Sequence, residues 1–253
     1  MMIDTHLHLN SLEFDQDLSV VIHNAHLAGV NIMVINGYDL PSSEKAIRIS
    51  EQYPGVYATC GVHPSEAVNG QLNEASLETM LQHPNVIGVG EIGLDYYWDD
   101  TTKTLQQALF HKQLALAVKY GLPVIVHSRS AIQDTYDILS TYPVRGIMHC
   151  YSSSYEMALR FIKRGFLLGI GGVLTFKNAG LREVVQQIDL TSIVTETDSP
   201  YLAPEPYRGK RNEPKFIPII IKTLSQLKNQ TEEDVVKIVY QNFTSLFQIK
   251  EAL

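Results

Sequence analysis

Eight short apolar runs, each followed by a stretch with helical spacing, recur along the 253 residues of this chain. The runs are Met2–Asp4, Ile32–Asn36, Val56–Cys60, Val86–Val89, Val124–Val126, Gly146–His149, Phe166–Ile170 and Ile193–Thr195. They are β-branched and continuous rather than alternating. Strands buried on both faces read this way, which predicts a parallel sheet. Between them, apolar residues recur at helical spacing, as in Leu18, Val21, Ile22, Ala25 and in Leu105, Leu109, Leu114, Leu116, Val118. Similar stretches cover Leu40–Gln52, Ala75–Gln82, Ile132–Leu139, Glu156–Arg164, Leu181–Ile188 and Ile217–Lys228. Glu232–Phe247 closes the chain after Thr231, a helix N-cap residue. Alternation repeated eight times predicts an α/β fold, a closed (β/α)8 TIM barrel, with an open doubly wound sheet as the competitor.

With 45% hydrophobic and 19% charged residues, the chain can bury a large core, which excludes disorder as its main state. No low-complexity tract or linker divides it, so one domain over 1–253 is expected. No apolar run reaches the roughly 20 residues of a membrane span, and no secretory leader is visible. Cys60 and Cys150 cannot build a disulfide framework, and a cytoplasmic chain is expected. Lys and Arg number 20 against 27 Asp and Glu, a net charge of −7, which excludes a protein that coats polyanions.

Barrel active sites lie at the C-terminal ends of the strands. His6 and His8 follow the first run, His63 the third, Glu91 the fourth, His127 with Ser128 and Arg129 the fifth, His149 the sixth and Asp198 the eighth. His6 and His8 are two apart, so a strand points both to one side. Of nine histidines, five fall at these ends. Gathering so many titratable groups is costly unless something neutralises them, and a divalent metal does that. Mixed imidazole and carboxylate ligands suit Zn²⁺, Mn²⁺, Fe²⁺ or Ni²⁺ better than Mg²⁺. The ligand count predicts two ions, one on His6, His8 and Asp198, another on His127 and His149, with Glu91 between them. Two such ions lower the pKa of water and clamp a displaced ester oxygen. Asp198 is expected to take the proton of the attacking water.

Gly88-Val-Gly90-Glu-Ile-Gly93 matches a dinucleotide-binding pattern only formally, since no helix signal opens at the glycines, so no nucleotide cofactor is expected. Arg208, Lys210 and Arg211 put three cations into four positions after the Asp198 loop. With Arg129 and His63 they form a rim suited to phosphate oxygens.

These motifs together resemble the TatD family of metal-dependent deoxyribonucleases and hydrolases over essentially the whole chain. The matching segments are Asp4-Thr-His6-Leu-His8, Gly61-Val-His63-Pro64, Gly90-Glu91-Ile-Gly93-Leu-Asp95-Tyr96, His127-Ser-Arg129, His149-Cys150-Tyr151-Ser152, Glu196-Thr-Asp198-Ser-Pro200-Tyr201-Leu202 and Arg208-Gly-Lys210-Arg211-Asn212-Glu-Pro214. The resemblance implies two divalent cations, one on His6, His8, Glu91 and Asp198, the other on Glu91, His127 and His149. It implies a Mg²⁺- or Mn²⁺-dependent nuclease, with Zn²⁺ also open, that trims DNA, and sometimes RNA, from the 3′ end. His63 and Arg129 resemble residues that contact the substrate phosphate. After His149-Cys150 the family usually has Phe-Ser-Gly; here Tyr151-Ser152-Ser153 stands instead, and an altered loop is expected.

The leading expectation is therefore a two-metal phosphodiesterase acting on DNA ends, with Glu91 and Asp198 at its chemical centre. A hydrolase of another ester or amide on the same cage is the alternative, because fold and cage do not choose the substrate. Without a long heptad, a monomer or weak oligomer is expected.

Overall fold

The computed structural model describes residues 1–68, 72–98 and 100–249. Strand β1 (Met2–Leu7), helix α1 (Leu18–Leu27), β2 (Val30–Asn36) and α2 (Leu40–Gln52) come first. Next come β3 (Val56–Cys60), α3 (Glu74–Leu81), β4 (Val86–Asp95), α4 (Lys103–Tyr120), β5 (Val124–Arg129), α5 (Ile132–Ser140) and β6 (Gly146–Met148). The chain continues with α6 (Tyr155–Lys163), β7 (Phe166–Ile170), α7 (Leu181–Gln187), β8 (Ile193–Thr195), α8 (Ile217–Lys228) and α9 (Glu232–Phe247). The eight strands form one sheet in chain order. β8 also lies against β1: Thr5 Oγ1 donates to Thr195 O at 3.1 Å and Thr195 Oγ1 to Ile3 O at 2.7 Å, and Leu7 bridges Ser199. The fold is a (β/α)8 barrel, and the open sheet is excluded.

Three strands run past their apolar runs, β5 continuing through His127 to Arg129. β1 includes His6, and β4 carries on through Glu91 to Asp95. Polar residues end an apolar reading but not a strand whose backbone still pairs with its neighbour, as β4 does with β5 from Ile92 to Asp95.

The contacts divide the chain into two compact units, Met1–Ile35 with Cys150–Leu253, and Asn36–His149. In the second, α2 starts at a capping box in which Ser42 N donates to Asp39 Oδ1 at 2.7 Å and Asp39 N to Ser42 Oγ at 2.9 Å. Two buried glutamines of α4 act as substitute strand partners. Gln106 accepts from Asp95 N and donates to Asp95 O, both at 2.8 Å. Gln113 does the same for Val62, at 2.7 and 2.9 Å. Gly93, at φ 141°, sits so close to β5 that a Cβ there would stand 2.0 Å from His127 O. The glycines of the formal dinucleotide pattern therefore lie inside β4, with no helix opening on them.

In the first unit, α9 is capped by Thr231, whose hydroxyl accepts from Asp234 N at 3.1 Å. Asn242 on α9 donates to Leu190 O and Ile193 O, at 2.8 and 2.7 Å, fixing the start of β8. At the far end, buried Asp4 accepts from Thr197 Oγ1 at 2.5 Å and Thr197 N at 2.9 Å. Burial lifts the Asp4 carboxyl to about 8, with the Thr197 hydrogen bonds pulling the other way. Among the described residues, no helix is long and apolar enough to cross a membrane.

Candidate metal centres

Each unit carries its own imidazole–carboxylate cluster. In the first, β1 delivers His6, the residue just past its end is His8, and the turn after β8 delivers Asp198. The Nε2 atoms of His6 and His8 are 3.2 Å apart, and Asp198 Oδ1 stands 3.8 and 3.6 Å from them. Backbone bonds hold the turn to β1: Asp198 N donates to His6 O at 2.9 Å and His8 N to Ser199 O at 2.7 Å. Asp198 adopts φ 57°, a left-handed conformation that Asp tolerates better than most residues. All three donor atoms lie within 4.8 Å of one another in a buried setting. The set fits a divalent cation, which takes mixed imidazole and carboxylate ligands of this kind.

In the second unit, Glu91 is buried on β4, and its Oε1 faces three imidazoles. His127 Nδ1 is 3.0 Å away, and the Nε2 atoms of His63 and His149 are each 3.8 Å away. The His63 and His127 rings meet edge to face at 4.5 Å, while those of His127 and His149 stack at 6.2 Å. Glu91, His127 and His149 thus come together. His63, expected among the substrate contacts, stands in the same group, with its Nδ1 2.8 Å from Ser65 Oγ.

A carboxylate behind His127 was not expected from the sequence. Asp95 Oδ2 is 3.1 Å from His127 Nε2, the nitrogen turned away from Glu91. This carboxylate–histidine pair orients the ring so that Nδ1 faces Glu91. Burial pulls the His127 imidazole down, but the Asp95 and Glu91 carboxylates outweigh it, and its pKa lies above the ordinary value. For Asp95, burial pushes upward, yet His127 and the Tyr97 amide hold the carboxyl below the usual range. Asp95 lies on the same strand face as Glu91, four residues on, and that alternation was the available signal. Glu196, buried in the first unit, accepts from Cys150 N at 2.6 Å. It sits two residues before Asp198, in a motif already singled out without a role for it. The loop after β6 accommodates Tyr151 in place of the family's Phe by a hydrogen bond from its hydroxyl to Ser154 O at 2.6 Å.

The rim residues divide. Arg129 ends β5 in the second unit, its guanidinium 3.9 Å from the Tyr97 ring and 5.3 Å from Trp98. In the first unit, Arg208 lies 4.6 Å over Phe176, beside a cavity of about 670 Å³ lined also by Thr175, Lys177 and Glu205. Lys210 stands 6.0 Å from the Tyr207 ring. Arg211 is occupied elsewhere: it grips Asp17 at 2.6 and 3.0 Å, Glu213 at 3.1 Å and Glu13 O at 2.7 Å. It ties its loop to the start of α1. Asn212 anchors the same loop by donating to Thr197 O and Tyr201 O, both at 2.7 Å.

Imidazole and carboxylate clusters at the C-terminal ends of parallel strands, on a (β/α)8 frame, define the class of metal-dependent hydrolases. Comparison with known proteins agrees. The chain belongs to the TatD family, whose TatD related DNase model matches residues 3–248. It is 39% identical to YabD of Bacillus subtilis, described as an uncharacterized metal-dependent hydrolase, over 98% of this chain and 100% of that one. It is 34% identical to the metal-dependent hydrolase TatD of Mycobacterium tuberculosis, covering 95% of this chain and 96% of the other. The crystal structure of the TatD homologue YjjV from Escherichia coli superposes with a TM-score of 0.93 at 28% identity, with 98% of each chain covered.

Proposed function

We propose that this hydrolase is a two-ion phosphodiesterase that removes nucleotides from DNA ends, from the 3′ side. One observation carries the reading: each unit pairs an imidazole–carboxylate cluster with an exposed guanidinium, Arg129 in one and Arg208 in the other. His6, His8 and Asp198 would hold one divalent ion, and Glu91, His127 and His149 the other, with Glu91 serving both as the family resemblance implies. Mn²⁺, Zn²⁺ or Mg²⁺ bound there would polarise the phosphate and acidify the attacking water. The chain's own groups do the rest. His63 and Arg129 hold the scissile phosphate, with Arg208 and Lys210 on the adjoining backbone. Asp198 accepts the proton as the water oxygen bonds to phosphorus. The bond to the leaving sugar oxygen breaks, and that oxygen regains a proton from solvent. The two free cysteines suit a reducing compartment, and we place the enzyme in the cytoplasm as one catalytic domain.

The test is cleavage of end-labelled single-stranded DNA with Mg²⁺, Mn²⁺ or Zn²⁺, beside the Asp198→Ala protein. Stepwise loss of nucleotides that Asp198→Ala abolishes supports the reading. Intact DNA at high enzyme with every metal overturns it. Arg129→Ala should also lower phosphodiester turnover far more than turnover of a neutral ester.

A further inference from the structure

The second unit carries a feature that metal ligation does not use. Just past β4, Tyr97 and Trp98 project side by side, 57% and 76% exposed. Their rings meet at 4.9 Å and 87°, edge to face. The Arg129 guanidinium sits against both, 3.9 Å from one centroid and 5.3 Å from the other. Among the described residues Arg129 makes no ion pair with a carboxylate, unlike Arg211, which makes two. The platform is fixed to the cluster behind it. Tyr97 N donates to Asp95 Oδ1 at 2.9 Å, while Asp95 Oδ2 holds His127. Asp95 and Arg129 are also register partners across β4 and β5.

We propose that Tyr97 and Trp98 form a stacking platform for an unpaired nucleobase, with Arg129 taking the phosphate of the same nucleotide. This inference rests on the nuclease reading and deepens it by assigning the base contact. Aromatic faces exposed to water lack partners, and a base supplies one without regard to sequence, because every base has a π face. A guanidinium held by ring faces keeps its N–H edge for phosphate oxygens. One nucleotide offers base and phosphate together at that reach. A base within a duplex is already stacked on both sides, so the occupant is single-stranded.

Trp98 is the sole tryptophan, so its fluorescence reports on the platform directly. Full-length protein loaded with Mn²⁺ is titrated with a phosphorothioate-linked single-stranded 12-mer, which resists cleavage, and with an abasic 12-mer of the same linkage. Saturable quenching by the base-bearing strand, at least about tenfold tighter than any response to the abasic one, is expected. Tyr97→Leu should weaken that binding about fivefold to tenfold. Trp98→Leu should lower kcat/KM for an oligonucleotide about tenfold relative to that for a base-free phosphodiester. Equal quenching by the abasic strand, or none by either, overturns the platform. Metal-dependent cleavage without base-dependent quenching would sink the platform and spare the nuclease reading. Base-dependent quenching without cleavage under any metal would do the reverse.

Discussion

Asp95 and His127 meet at 3.1 Å through Oδ2 and Nε2, on the side of the imidazole opposite Glu91, whose Oε1 is 3.0 Å from Nδ1. The ring is thereby clamped between two carboxylates on the same strand. One of them would orient it while the other stands on the ligand side of the ring. Removing the orienting charge but keeping the shape should expose that division. Asp95→Asn is expected to bind Mn²⁺ or Zn²⁺ about 10- to 100-fold more weakly. Calorimetric titration of the metal-free protein measures this, and unchanged affinity would remove Asp95 from the site.

Glu91→Ala should be the most damaging single substitution. Loss of both ions, counted by plasma emission spectroscopy, fits a carboxylate that serves two; loss of one assigns it to His127 and His149 alone. His63→Ala is expected to raise KM and retain both ions, although His63 stands 3.8 Å from Glu91.

Gly93→Ala should destabilise the fold without touching a ligand side chain. A Cβ at this position would lie 2.0 Å from His127 O, at a φ of 141° that side chains rarely adopt. Strain of this kind costs about 1–3 kcal/mol before the clash is counted. Urea unfolding should therefore show a loss of about 3 kcal/mol or more. A loss below about 1 kcal/mol would show that β5 yields easily.

The Arg211 guanidinium beside Asp17 holds that carboxyl below its usual range, against the opposing effect of burial. Folded protein thus keeps Asp17 charged to lower pH than unfolded protein does. Its stabilisation is full above about pH 4, the ordinary aspartate pKa, and drains as pH falls through the lower folded value. Asp17→Asn should lower Tm at pH 7, by an amount that shrinks on acidification below about pH 4. Both groups are partly exposed, so the effect is modest and should also shrink in high salt. A deficit that persists unchanged at low pH would assign the role to packing.

Much of this was legible because buried parallel strands are long apolar runs and their ends abruptly turn polar. His6, His8, Glu91, His127, His149 and Asp198 stand out as candidate ligands for that reason. The same contrast misplaced the end of β4, whose backbone pairing runs on under polar side chains to Asp95. The ion pair of Arg211 was not legible because its partner Asp17 lies 194 residues away, and local charge counting cannot see such a neighbour. Asp95 and Glu196 went without roles because a carboxylate that supports a ligand has the same sequence signature as one that solvates a loop.

Gly169 on β7 ligates nothing, yet a Cβ there would stand 2.1 Å from Glu196 Oε2. The missing side chain at one position is the room for the acid at the other. In a substitution library the two should behave as a single hereditary unit. Gly169→Ala alone should fail and Glu196→Asp alone should loosen the Cys150 turn. Together they should recover part of what each loses, so a lineage that changes one position would be expected to carry a change at the other.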